Sequence, residues 1–136
     1  MLEITKPNGD TQMIADMNEL TSVMASPGFW DQSDDMTIAM PNTAYPRLLV
    51  FFAKGRGYYM EIYQQTEDFD PMIPSTAQQG VVELSVGGES HRVPASAVVD
   101  PVSAKAVFSD FMAKRVPSAA VSWIQKSQVE WPEQDI

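Results

Sequence analysis

His91 is the only histidine in the chain, and it follows Glu89 and Ser90, so three residue types used in nucleophilic hydrolysis stand side by side. A histidine that acts as a general base needs a carboxylate to orient it and a nucleophile within hydrogen-bond reach. Along a strand, alternation sends Glu89 and His91 to one face and Ser90 to the other, so a surface or cross-strand histidine is expected. Asp31, Asp34, Asp35, Glu67, Asp68 and Asp70 offer carboxylates for glycoside hydrolysis, but loops give such pairs no fixed separation. A carboxylate-dependent hydrolase is therefore the third-ranked reading. Gly55-Arg56-Gly57 comes nearest to a phosphate loop, yet it joins two strand-like runs instead of opening a helix, which makes it a turn. The chain has no Gly-x-Ser-x-Gly, no glycine-rich run before Lys and Ser/Thr, and no His-Glu-x-x-His. No catalytic residue, cofactor or metal site is expected; without cysteine and with one histidine, a metal would have to be held by carboxylates alone.

Binding is the class that remains. With 9 bases and 18 acids the formal charge is -9, a field that repels phosphate backbones and anionic membrane surfaces and attracts cationic proteins. Neither nucleic acid nor membrane is an expected partner. Residues 1–70 hold 11 acids against 4 bases, and residues 71–136 hold 7 against 5, so the field is lopsided. Two acidic segments carry large side chains beside their charges: Phe29-Trp30-Asp31 with Asp34 and Asp35, and Tyr63 with Glu67, Asp68, Phe69 and Asp70. Buried rings ringed by charges suit a protein interface, because the rings supply most of the energy and the rim steers encounter. The candidate interface is thus Trp30, Asp31, Asp34, Asp35, Tyr63, Glu67, Asp68, Phe69 and Asp70, with Asp34 and Asp35, or Asp68 and Asp70, as rim pairs whose reversal is expected to slow association more than it disturbs folding. Equally open is that Phe29, Trp30 and Phe69 enter the core while the acids solvate loops.

These segments need a scaffold, and 136 residues with 44% apolar types are enough for one core. One domain, 1–136, is expected. Leu2 to Lys6 and Thr11 to Ile14 flank Pro7-Asn8-Gly9-Asp10 as a hairpin would. Asp16 caps a short helix through Leu20, Val23 and Met24 that Pro27-Gly28 stops. Met36 to Met40, Arg47 to Ala53 and Tyr58 to Gln64 read as successive antiparallel strands, and Gly80 to Val86 with Ser90 to Val93 as a hairpin that extends their sheet. Asp100-Pro101 opens a helix with Ala104, Val107, Phe108, Phe111 and Met112 on one face, ending at Lys114-Arg115 before Pro117. Ala120 to Ile124 is a last strand. Met13, Met17, Met24, Met36 and Met40 are core fillers, with a plastic binding surface as the alternative. The fold class is α+β: a mostly antiparallel sheet of five or more strands with two helices packed on one face. No apolar run approaches the ~20 residues of a membrane-spanning helix, and Met1 to Lys6 lack a basic leader and apolar run, so a cytoplasmic location is expected.

The segment from Gly80-Val-Val-Glu-Leu through Ser90-His-Arg-Val-Pro94, then Val99-Asp-Pro-Val-Ser-Ala-Lys-Ala-Val-Phe108, Phe111, Pro117 and Val121-Ser-Trp123, resembles the immunity protein family 1 of bacterial polymorphic toxin systems. Tyr45-Pro-Arg-Leu-Leu-Val-Phe-Phe and Tyr58-Tyr-Met-Glu-Ile resemble its paired central strands. The resemblance implies a non-enzymatic antitoxin that binds a cognate toxin one-to-one and obstructs its active site, the toxins being often nucleic-acid-targeting, DNA cytosine deaminases included. A toxin that grips a polyanion carries a basic cleft that an acidic protein can occupy. The second reading within the binding class is an acidic secretion chaperone for an effector, which would bury a two-fold dimer interface.

Overall fold

Leu48, Val50, Met60 and Ile62 are completely buried, and their period-two spacing sets the centre of the molecule. The computed structural model describes residues 1–43, 45–65, 67 and 69–133. The two central strands are β4 (Arg47–Ala53) and β5 (Gly57–Tyr63), paired antiparallel from Arg47↔Tyr63 to Ala53↔Gly57. Around them lie β1 (Leu2–Thr5), β2 (Thr11–Ile14), α1 (Met17–Met24), β3 (Asp35–Ala39), β6 (Met72–Ser75), β7 (Val81–Val86), β8 (Glu89–Pro94), β9 (Val98–Val99), α2 (Pro101–Lys114) and β10 (Ser122–Gln125). The main sheet has eight strands in the order β10-β6-β5-β4-β3-β1-β2, with β9 joining β5 at Tyr58 and Tyr59. All its pairings are antiparallel. The α+β architecture with two helices on one face is therefore present, since Leu20 of α1 and Ala104, Val107, Phe108 and Phe111 of α2 share one core with the even positions of β4 and β5.

Both helices start where side chains accept from otherwise free amides. Asp16 takes the Glu19 N–H at 2.9 Å, while Glu19 reaches back to the Ala15 N–H at 3.2 Å. Asp100 takes the Ser103 N–H at 2.8 Å, with Pro101 at the first helical position. The first helix ends at Met24, before the Pro27-Gly28 stop signal; the second ends on Arg115 in a left-handed conformation, its N–H bonded to the Phe111 carbonyl at 2.8 Å.

Three expectations need correction. The β7–β8 hairpin does not extend the main sheet: it forms a separate two-stranded sheet lying over the face opposite the helices, where Val82, Leu84 and Val93 pack on Ala53 and Tyr59. Alternation along β7 and β8 is the same whether a strand is bonded at its edge or laid across a face. The last strand runs Ser122–Gln125 and pairs with β6, an element hidden in the sequence because Pro74 lies inside it. Met13 is 40% exposed, whereas Met36 is buried and Met17, Met24 and Met40 pack against the helix-side core.

Candidate functional site

The first acidic segment is built into the fold. Trp30 stacks on Phe52 at 5.1 Å between ring centres and takes the Phe29 ring edge-on at 4.8 Å, packing both against the helix-side core. Asp31 is exposed. Asp34 and Asp35 precede and begin β3, and both are half-buried. The Asp34 carboxylate accepts from the Ser85 N–H at 3.0 Å, and its own N–H donates to the Ser85 carbonyl at 2.8 Å. Asp35 accepts from the Ser33 hydroxyl, which also accepts from the Gly87 N–H at 3.0 Å. These two acids clip the β7–β8 hairpin to β3, a bonding role beyond that of rim charges.

The second segment is different. Phe69 is 92% exposed, the most open of the large apolar side chains among the described residues. Behind it, Asp70 accepts from both the N–H and the hydroxyl of Ser127, at 2.9 and 2.6 Å, which holds its carboxyl below the usual carboxylate range. Buried Pro71 accepts the Lys126 N–H at 2.9 Å. A fixed base therefore carries an open aromatic ring, with exposed Glu67 two residues before it. Asp68 lies outside the described residues. Tyr63 is half-buried and donates its hydroxyl to Glu61 at 2.7 Å. Asp35 pairs with Phe51 and Phe51 with Tyr59, so four residue steps along β5, about 13 Å, separate the level of Asp35 from Tyr63.

A site missed in the sequence lies between the hairpin and the odd positions of β4 and β5. A cleft of about 320 Å³ is walled by Phe51, Leu84, Val86, Val93 and Trp131, with Tyr59, Glu61 and Lys126 at its polar end and His91 and Arg92 also lining it. Glu61 is 5% exposed and meets three donors: the Tyr59 hydroxyl, the Tyr63 hydroxyl, and Lys126 Nζ at 2.8 Å. Burial, then the neighbouring Glu61 carboxylate, push the Tyr59 hydroxyl far above the ordinary tyrosine range. Lys126 Nζ also lies 4.8 Å from the Trp131 ring centre. His91 pairs with inward-facing Leu84 and stands 3.8 Å from Glu89, with Ser90 opposite Ser85 on the outer face, as alternation requires. The legible signal was Tyr59-x-Glu61-x-Tyr63, a period-two stripe of polar tips on a central strand.

Chemically, the Glu61 network pairs a buried carboxylate with three donors, an arrangement suited to holding charge in place. Among the described residues, no group of three or more His, Cys, Asp or Glu is placed to hold a metal ion, and no helix is long and apolar enough to cross a membrane. No protein-family model matches the chain, and no curated protein matches it at a significant level.

Proposed function

We propose that this chain is an immunity protein: a cytoplasmic, non-enzymatic antitoxin that binds a cognate toxin domain one-to-one and occludes its basic, nucleic-acid-gripping cleft, as on a DNA cytosine deaminase. The observation that carries the reading is Phe69, an aromatic side chain 92% exposed, presented from a loop pinned by Asp70 to Ser127. Leaving a ring in water has a cost that docking recovers, and a loop pinned beside the ring has less backbone freedom to lose on binding. The charge of -9, concentrated in residues 1–70 that include this loop, supplies the long-range attraction to a basic surface.

The test is inhibition. Purified toxin domain, assayed on its nucleic-acid substrate with increasing amounts of this chain, should lose activity with a one-to-one endpoint, and the association rate should fall steeply with added salt. A toxin that stays fully active overturns the proposal. Low-salt capture from a strain carrying the neighbouring genes identifies the partner, and a secreted effector held by a dimer of this chain would replace the antitoxin reading with the chaperone one.

A further inference from the structure

Beneath the β7–β8 hairpin the protein already places a cation among aromatic rings. Lys126 Nζ lies 4.8 Å from the Trp131 ring centre and 2.8 Å from Glu61. Trp131 meets Tyr59 edge-on at 5.8 Å, and Tyr59 tilts against Phe51 at 5.4 Å. Ring faces attract a cation through their quadrupole, a carboxylate through its charge, and apolar walls accommodate a methylene stem. About 320 Å³ of open cleft lies beside these groups, within the range of ligand pockets.

We propose that this cleft receives an arginine side chain of the basic partner, whose guanidinium exchanges with the Lys126 ammonium at Glu61 and Trp131. The inference rests on the toxin-blocking reading and names one anchor for it. The Lys126 side chain is 39% exposed, so its ammonium reaches water by rotation about its own stem while its backbone N–H stays on the Pro71 carbonyl. An ammonium is strongly hydrated; a guanidinium is weakly hydrated, stacks on rings and forks onto carboxylates. Exchange therefore returns the better-hydrated cation to water and gives the ring cage the one it suits. The hydroxyls of Tyr59 and Tyr63 keep Glu61 oriented throughout, and a carboxylate with about four acceptor positions has room for a further donor. The other basic groups lining the cleft have acids of their own, Arg92 with Glu83 at 3.6 Å and His91 with Glu89 at 3.8 Å.

The probe is N-acetyl-arginine amide, titrated against its neutral citrulline counterpart and followed by heteronuclear N–H NMR at the Trp131 indole, assigned by Trp131→Phe. The arginine probe should shift that signal saturably in wild type while the citrulline probe does not, and Lys126→Ala, which vacates the cage, should tighten arginine binding by about threefold or more. Absence of a saturable shift in both wild type and Lys126→Ala, or equal shifts from the two probes, overturns the assignment. The titration contains no toxin, so its failure removes the cleft from the interface without touching the inhibition assay, and a failed inhibition assay leaves the titration standing.

Discussion

Asp34 and Ser85 hold each other across 51 residues of chain, the Asp34 carboxylate accepting the Ser85 N–H at 3.0 Å and the Asp34 N–H donating to the Ser85 carbonyl at 2.8 Å. The Asp34 carbonyl also accepts the Phe52 N–H at 2.7 Å, so one residue ties hairpin to main sheet. Asp34→Lys should therefore cost about 1–2 kcal/mol of stability, because a charged acceptor is lost and a cation meets a bonded N–H. Urea unfolding reads this as a lower midpoint at unchanged slope; an unchanged midpoint would restore Asp34 as a free rim charge.

Phe69→Ala should leave the unfolding midpoint where it is, since the ring is 92% exposed and its contacts are with water. Toxin affinity should fall by about tenfold or more, the loss typical of an aromatic anchor. Surface-immobilised toxin and a dissociation-rate measurement check this, and an unchanged dissociation rate would put the interface elsewhere.

Lys126→Ala strands the Glu61 carboxylate with two hydroxyl donors and no cation. The pair is half open, with Glu61 side chain 7% and Lys126 39% exposed, so the cost should fall between an exposed pair and a buried one, about 1–2 kcal/mol. Glu61→Gln alone and with Lys126→Ala completes a double-mutant cycle, in which a coupling energy near zero would show the ion pair to be ornamental.

The Tyr59 hydroxyl is held protonated in the folded state by burial and by Glu61, its ionisation raised well above the ordinary value of 10.0. Its raised value makes this contribution fully present below pH ~10 and lost progressively above it, because the unfolded chain releases the proton there and the folded chain does not. Stability should fall above that pH, read as a falling urea midpoint, and Tyr59→Phe should flatten the alkaline decline. Asp70 and Asp100, both lowered by bonds from Ser127 and Ser103, have the opposite sense: their contributions are present above the unfolded carboxylate range and are lost as pH falls through the folded values.

Gly57 begins β5 with φ +143°, and a Cβ there would sit 1.9 Å from the Val99 carbonyl oxygen. Gly57→Ala should cost on the order of 3 kcal/mol, since the obstacle is backbone and the conformation itself disfavours a side chain. Gly55→Ala, equally left-handed but with nothing within 4 Å, should cost clearly less. Equal midpoints for the two variants in thermal unfolding would refute the crowding argument.

The central strands and both helix starts were legible because each is written locally: alternation in Arg47–Ala53, and Asp16 and Asp100 placed where a helix leaves amides free. The placement of the hairpin was not, because Val82, Leu84 and Val93 alternate identically on an edge or across a face. Strand β6 was hidden by Pro74, and β9 by having only two residues. Of the interface residues, Trp30 reads equally as anchor or core from sequence, and only its stacking on Phe52 places it in packing. In the cleft only the Tyr59-x-Glu61-x-Tyr63 stripe was legible; the pairing of Glu61 with Lys126 was out of reach, since the two come together across 65 residues with nothing in either neighbourhood announcing the other.

The hairpin over the cleft is fastened at both ends. Ser85 and Gly87 bond to Asp34 and Ser33 near the turn, while beyond the open end the Ser96 carbonyl accepts the Thr76 N–H that follows β6. A flap pinned along one edge swings; one pinned at both ends bows only slightly. The space beneath it is bounded by Trp131, whose ring packs against Tyr59 and the Lys126 ammonium. A roof fixed in this way gives the cleft a width that its wall residues set and that the hairpin does not adjust.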